Sequence, residues 1–271
     1  MGRKSVAKIT NSWLKQFILL GYAAKGTVYL LIGIFALRAA LLYSQEARGT
    51  YFSLLSLARQ PLGRLFVLLL AIALLGYVLR RTFQALHSFQ QSDVFIWQRL
   101  FKQAGYIMSG LSYAGVAYSA LQIAIGTGEY DDTAEDLADE LFELPIGEWS
   151  ILLGGIAVFT VGIFYIYGAY TGSYISEFDS SDIHHRVEKW TRRIGKLGVA
   201  ARGFSFALTG IYIICAAIVG DSELAGGLQN VLESLTINSF GRVWLGLIGV
   251  GFIAYGLYMF VAARYRRYAI E

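Results

Sequence analysis

A chain of 271 residues could hold one or two soluble domains, but its composition excludes that class. Apolar residues make up 56% of the chain and charged residues only 15%, against about 25% charged in a typical soluble protein. The formal net charge is +4, and the basic residues flank apolar runs instead of forming one basic face. This distribution indicates membrane lipids, and not nucleic acid, as the partner.

The predicted elements are six transmembrane helices, since a helix of about 20 mostly apolar residues crosses a bilayer. The predicted hydrocarbon sections, in chain order, are residues 22–42, 65–79, 103–128, 149–176, 203–220 and 243–263. The second section is short and becomes a full span if Arg64 and Arg80 extend to the two interfaces. Between the two spans of each pair, leucines and valines near residues 54–57, 137–144 and 228–235 predict short amphipathic helices on the outer face.

The orientation follows from how the charges are divided. In a six-span arrangement, 18 of the 23 Lys and Arg residues fall on one side of the membrane. The connection from Gly126 to Trp149 has nine acids and no base, and it falls on the other side. Because basic connections stay in the cytoplasm, both termini are predicted to be cytoplasmic.

Three stretches of sequence share one pattern. A tryptophan is followed by a glycine eight residues later, a second glycine five residues after that, and an aromatic residue three further on. The matching positions are Trp13, Trp97 and Trp190; Gly21, Gly105 and Gly198; Gly26, Gly110 and Gly203; and Tyr29, Tyr113 and Phe206. Agreement at so many positions indicates duplication.

The repeats divide the chain into three two-helix units. We predict a cytoplasmic segment at residues 1–12 and units at residues 13–90, 91–180 and 181–271, the last including a cytoplasmic tail. The second span of each unit follows a related tripeptide, Pro-Leu-Gly, Pro-Ile-Gly or Ser-Phe-Gly. All units start on the same side, so the sequence predicts an all-α membrane protein of three parallel repeats about an axis along the membrane normal.

The segment from Gly21 to Gly33 (GYAAKGTVYLLIG), with its counterparts in the other units, resembles a bacterial membrane family named domain of unknown function 1206. The resemblance extends from about residue 13 to residue 268. The middle unit departs from it, because Ser109 stands where the others have Lys25 or Arg202. The resemblance implies tandem two-helix units in a bacterial cytoplasmic membrane and implies no substrate or reaction.

Lys25, Arg202 and Arg38 are the candidates for binding an anion or a lipid headgroup. Lys25 and Arg202 are at matched positions and could border a central cavity. The favoured alternative is that both extend to the cytoplasmic interface and Arg38 to the outer one, because shallow cations need no special role. The repeated tryptophans and glycines are assigned structural roles.

Neither a metal nor a cofactor is expected. His87, His184 and His185 do not form a pair at facing depths within spans, which a bis-histidine haem needs. The acidic connection lacks the spacing of a calcium loop. The single cysteine, Cys215, excludes a cysteine metal cluster.

Three functions compete at this level. The preferred one is a non-enzymatic module that binds a lipid or a partner membrane protein, because catalytic motifs are absent. The alternative is a transporter or channel for a small solute, with its site at the repeat interface. A membrane enzyme would need polar catalytic groups clustered at one depth, and the sequence contains no such cluster.

Overall fold

The structure, a computed structural model, describes residues 7–8, 12–42, 47, 49–88, 96–127, 133–172, 174, 185–237, 239–265 and 269–270. The helices are α1 Ser12–Leu41, α2 Thr50–Ala58, α3 Gly63–Ser88, α4 Ile96–Ile125, α5 Thr133–Phe142, α6 Gly147–Thr171, α7 His185–Val219, α8 Leu228–Ser234 and α9 Ser239–Tyr265, with a 3₁₀ turn at Ser222–Ala225. Two strands of two residues, β1 Ala7–Lys8 and β2 Ala269–Ile270, pair antiparallel. The predicted helical architecture is therefore present, and this short ladder brings the two chain ends together.

Five helical segments in the described residues are long and apolar enough to cross a membrane. They are Gln16–Leu41, Gly63–Leu86, Gly147–Thr171, Glu188–Val219 and Ser239–Tyr265. The predicted third span, α4, is not among them, so the count of six is not confirmed. Its 30 residues include Gln122 and several serines, tyrosines and glycines.

The long helices α1, α3, α4, α6, α7 and α9 pack in a repeating order. The first helix of each unit packs against the second helix of another unit: α4 against α3, α7 against α6, and α1 against α9. In the first and third units the two helices of the unit also pack together, α1 with α3 and α7 with α9. Helices α1 and α9 thus join the first unit to the third.

Paired glycines let the backbones of different units approach closely. A Cβ on Gly33 of α1 would lie 2.7 Å from the carbonyl oxygen of Gly249 on α9. A Cβ on Gly210 of α7 would lie 2.8 Å from the carbonyl oxygen of Gly155 on α6. Small residues at such crossings are typical of helix contacts in membranes. The repeated glycines Gly26 and Gly203 belong to the same two crossings.

Short helices occur at all three predicted places, but two of them are more buried than an interfacial helix. Helix α2 packs against α1, α3 and α4, and its Leu54 is fully buried. Helix α8 packs against α7, and its Val231 and Leu232 are fully buried. In α5 the apolar contacts are made by Ala138, Leu141 and Phe142, while Leu137 is exposed. The leucines of α2 and α8 therefore pack against the bundle, because the long helices leave apolar side chains uncovered at that end.

Gln229 of α8 ties the third unit to the first. Its side-chain amide donates to the carbonyl of Ala47, and its oxygen accepts from the N–H of Gly49. We expect Gln229→Ala to lower the free energy of unfolding by about 1–2 kcal/mol, because the two hydrogen bonds to the first unit and an exposed one to Glu233 are lost. Thermal unfolding in detergent, followed by tryptophan fluorescence, measures the effect. Gln60→Ala, at an exposed position, is the control, and an equal loss in both variants would contradict the prediction.

A cation–tyrosine centre inside the helix bundle

Side chains from all six long helices meet in a cluster that we call the cation–tyrosine centre. Its members are Lys25 and Tyr29 of α1, Tyr77 and Arg81 of α3, Ser109 and Tyr113 of α4, Tyr165 of α6, Arg202 of α7, and Tyr255 of α9. The links between them are hydrogen bonds, contacts between a cation and an aromatic ring, and edge-to-face contacts between tyrosine rings. The centre therefore depends on the arrangement of the whole bundle.

Lys25 is buried in the part of the centre around Tyr77, with 1% of its surface exposed. Its ammonium nitrogen donates to the hydroxyl of Tyr77 at 2.9 Å. The same nitrogen lies 4.3 Å from the ring centroid of Tyr77, 4.5 Å from that of Tyr113 and 5.5 Å from that of Tyr255. The favoured expectation that Lys25 extends to the interface is wrong, because these rings and the hydroxyl hold it inside the bundle.

Arg202 is buried in the part of the centre around Tyr255, with 4% of its surface exposed. Its Nη1 donates to the hydroxyl of Tyr255 at 2.6 Å, and its guanidinium carbon lies 4.7 Å from the ring centroid of Tyr165. The expectation of an interfacial position is wrong for Arg202 as well. Its Nε is buried and has no hydrogen-bond partner among the described residues. One donor of the guanidinium is therefore available to a ligand.

The hydroxyl of Tyr77 connects three helices. It accepts from Lys25 Nζ and from Arg81 Nε, which lies 2.8 Å away, and it lies 3.2 Å from Ser109 Oγ. A phenolic hydroxyl has two acceptor sites and one donor, so all three contacts can form at once. Tyr77 is therefore the residue that holds Lys25, Arg81 and Ser109 together.

The charges of the centre are uncompensated within the bundle. Among the described residues, the two buried charged side chains of the centre, Lys25 and Arg202, are both cations. The charges of Arg202 and Arg81 both repel Lys25. Helices α1, α3, α4 and α9 contain no Asp or Glu, and the single acids of α6 and α7 are in their first turns.

The aromatic rings offset only part of the cost of burying these cations. Each contact between a cation and a ring contributes about 0.5–2 kcal/mol, whereas the effective penalty of desolvating one ion is several kcal/mol. An anion between the cations would supply the missing charge. Arg80, which was expected to reach an interface, is also buried, and its guanidinium carbon lies 5.0 Å from the ring centroid of Tyr22.

Sequence comparisons identify the family. Three segments of the chain, residues 20–88, 104–172 and 197–266, match the family described as Domain of Unknown Function (DUF1206). The chain belongs to this family. It is also similar to a Bacillus subtilis (strain 168) protein named Uncharacterized protein YxxB, with 26% identity over 262 residues that cover 97% of this chain and 94% of that protein. No solved structure matches the chain.

The three DUF1206 repeats contribute unequally to the centre. In the first repeat Lys25 donates to Tyr77, and in the third Arg202 donates to Tyr255, so each pair links the two helices of its own repeat. The equivalent residues of the middle repeat are Ser109 and Val161, and Ser109 instead contacts the first repeat. The middle repeat therefore lacks the cation, the tyrosine and the link between its two helices.

The tyrosine partners could have been found in the sequence. Tyr77 stands fourteen residues after Gly63, and Tyr255 stands fourteen residues after Gly241, at the start of the second helix of each DUF1206 repeat. Only the cations were considered as candidate binding residues, so this matched pair was missed. Arg81 was also missed, because it lies beyond the predicted hydrocarbon section at residues 65–79.

The other predicted site residues lie elsewhere. Arg38 is exposed near the end of α1, about 20 Å along the helix from Lys25, and does not join the centre. Trp190 is 62% exposed, while the side chains of Trp13 and Trp97 fall outside the described part of the structure. Gly110 faces α3, where a Cβ would lie 3.4 Å from the Cβ of Arg81.

Proposed function

We propose that the protein binds the anionic headgroup of a membrane lipid at the cation–tyrosine centre and catalyses no reaction. The observation that carries this proposal is the pairing of buried Lys25 and Arg202 with aromatic rings and hydroxyls only. An anion placed between them would relieve their mutual repulsion and would meet the open Nε donor of Arg202.

The chemistry of the centre favours an anion with several oxygen atoms. A guanidinium presents a planar set of donors that matches phosphate, and an ammonium adds a compact charge. The hydroxyl of Ser109, which accepts from Tyr77, can donate to a further oxygen. A phosphate diester in a lipid headgroup meets these requirements.

In the bilayer, we propose that α4 is a sixth span and that both chain ends are in the bacterial cytoplasm. The excess of Lys and Arg on one side supports this orientation, and the pairing of Ala7–Lys8 with Ala269–Ile270 requires the two ends to share a side. Because α4 is 30 residues long and contains no acid, it can cross the bilayer with Gln122 bonded to Tyr118 within the helix.

The test is binding of phosphatidylglycerol to purified protein, measured by native mass spectrometry and by titration in detergent. We expect Lys25→Met combined with Arg202→Met to raise the dissociation constant about a hundredfold or more, because each charged contact contributes about 1.5–3 kcal/mol. Arg38→Met, at an exposed cation outside the centre, is the matched control and should leave binding unchanged. Equal binding by the double variant and the wild type would contradict the proposal.

A second candidate is a transporter of a small anionic solute. It is supported by the position of the centre, which takes side chains from all three repeats, as binding sites in repeat-built carriers do. Proteoliposomes distinguish it from the first: a solute flux that Lys25→Ala abolishes, together with no co-purifying lipid, would favour transport. Binding of a partner membrane protein remains an open outcome of the same purification.

A further inference from the structure

The two helices of the middle repeat do not pack against each other along their length. Throughout α4 and α6, which the structure describes in full as backbone, the extended contacts are with α3 and α7 respectively. In the other repeats the corresponding helices, α1 with α3 and α7 with α9, pack together. We call the space left between α4 and α6 the α4–α6 gap.

Three matched glycines show the difference between the repeats. A Cβ on Gly21 would lie 2.8 Å from the carbonyl oxygen of Ala73, and a Cβ on Gly198 would lie 2.5 Å from the Cα of Tyr255. A Cβ on Gly105, the equivalent residue of α4, would meet no atom within 4 Å, and Gly105 is exposed. The position that closes the first and third repeats is therefore empty in the second.

The α6 side of the gap is open in the same way. Gly154 is exposed, and a Cβ there would meet nothing within 4 Å. The equivalent residues are Leu70, which packs against the core, and Ile248, which is only 2% exposed. Two apolar side chains that fill the other repeats are thus replaced by a glycine on an open surface.

The gap leads directly to the cation–tyrosine centre. Gly105, Ser109 and Ser112 are spaced four and three residues apart, so they share one face of α4. Ser109 in the middle of this face contacts Tyr77. On α6, the spacing of Gly154, Val161 and Tyr165 puts them on one face, which ends at a ring over Arg202.

We propose that the α4–α6 gap is the lateral entry of an anionic phospholipid, whose hydrocarbon chains lie between α4 and α6 while its phosphate lies at the cation–tyrosine centre. This inference rests on the proposed function and names the ligand class and its path. A phospholipid in the bilayer can move sideways into the gap without leaving the membrane.

The cations at the inner end of the gap favour a phospholipid over a second copy of the chain as its occupant. The facing residues assigned to the gap are glycines, serines and a valine, and its inner end adjoins Lys25 and Arg202, which are buried where the long helices contain no acid beyond their first turns. The long helices of a second copy would bring no negative charge to the gap beyond their first turns. A phospholipid brings both the hydrocarbon and the negative charge.

The test fills the gap and leaves the centre intact. Gly105→Trp and Gly154→Trp each place an indole in open space from opposite sides of the gap. The probes are phosphatidylglycerol in nanodiscs and soluble glycerol phosphate. We expect each variant to weaken phosphatidylglycerol binding about tenfold or more, equivalent to about 1.4 kcal/mol, and to leave glycerol phosphate binding within about twofold. Ile107→Trp, at an exposed position on the opposite face of α4, should change neither.

The outcomes separate this inference from the proposed function. If both tryptophan variants bind phosphatidylglycerol as the wild type does, while Lys25→Met with Arg202→Met does not, the lateral entry is overturned and the headgroup site stands. If the double variant also binds normally, the proposed function fails and the entry fails with it. A wild-type dimer that Gly105→Trp dissociates would assign the gap to a second copy and overturn the lipid path.

Discussion

Gly33→Leu is expected to destabilise the protein by about 3 kcal/mol or more, the upper end of what overpacking typically costs. A Cβ on Gly33 would lie 2.7 Å from the carbonyl oxygen of Gly249, 2.7 Å from the amide nitrogen of Ile253 and 2.9 Å from its Cγ1. Two of these atoms are backbone, so α1 and α9 must separate to admit the side chain. This contact joins the first repeat to the third, and its loss opens the bundle.

Thermal unfolding and size-exclusion chromatography in detergent measure this loss. The matched control is Gly115→Leu on α4, where a Cβ meets nothing within 4 Å and the residue is exposed. Because leucine has a better helix propensity than glycine by about 0.8 kcal/mol, the control should be slightly more stable than the wild type. Equal melting temperatures for the two variants would show that α1 and α9 are not closely packed.

Tyr77→Phe is expected to have the second largest effect, with a loss of about 3 kcal/mol in the free energy of unfolding. The substitution keeps the ring and removes only the hydroxyl, which binds Lys25, Arg81 and Ser109. Two buried or half-buried cations then lose a hydrogen-bond acceptor, and hydrogen bonds to charged groups contribute about 1.5–3 kcal/mol each. The loss should be smaller than the sum, because the ring still contacts Lys25 at 4.3 Å.

Denaturant unfolding in detergent, followed by tryptophan fluorescence, provides the measurement. Tyr255→Phe, which removes one contact to Arg202, should cost less than Tyr77→Phe. Tyr118→Phe is the control, because Tyr118 is 63% exposed and its hydroxyl, among the described residues, accepts from Gln122 in the same helix. Saturating phosphatidylglycerol should recover part of the loss in Tyr77→Phe if the ligand neutralises the cations. A Tyr77→Phe variant as stable as the control would remove Tyr77 from its central role.

The helices and the repeats could be predicted from local pattern. Apolar runs such as 149–176 and 243–263 recur as α6 and α9, because a segment in a bilayer must satisfy its backbone hydrogen bonds internally. The duplicated glycines were assigned structural roles, and at Gly26 and Gly203 they do permit close crossings. What the pattern could not indicate is that the same glycine at Gly105 meets open space.

The candidate site was predicted in part. Lys25 and Arg202 were named from their matched positions, and they do share one cluster. Their depth was misjudged, because a long cationic side chain can extend outward or inward, and the neighbouring helices decide which. The deciding groups, Tyr77 and Tyr255, are more than fifty residues away in the chain.

The sequence by itself determined the helical spans, the three DUF1206 repeats and the separation of basic from acidic connections. These are properties of each segment and of its apolar content, so they need no knowledge of neighbours. Only the tertiary structure decided that Lys25 and Arg202 are buried among tyrosines and that α4 and α6 stand apart. Both depend on which side chains meet across helices. In the first and third repeats a hydrogen bond from a cation to a tyrosine hydroxyl joins the two helices. In the middle repeat the equivalent residues, Ser109 and Val161, cannot form that bond.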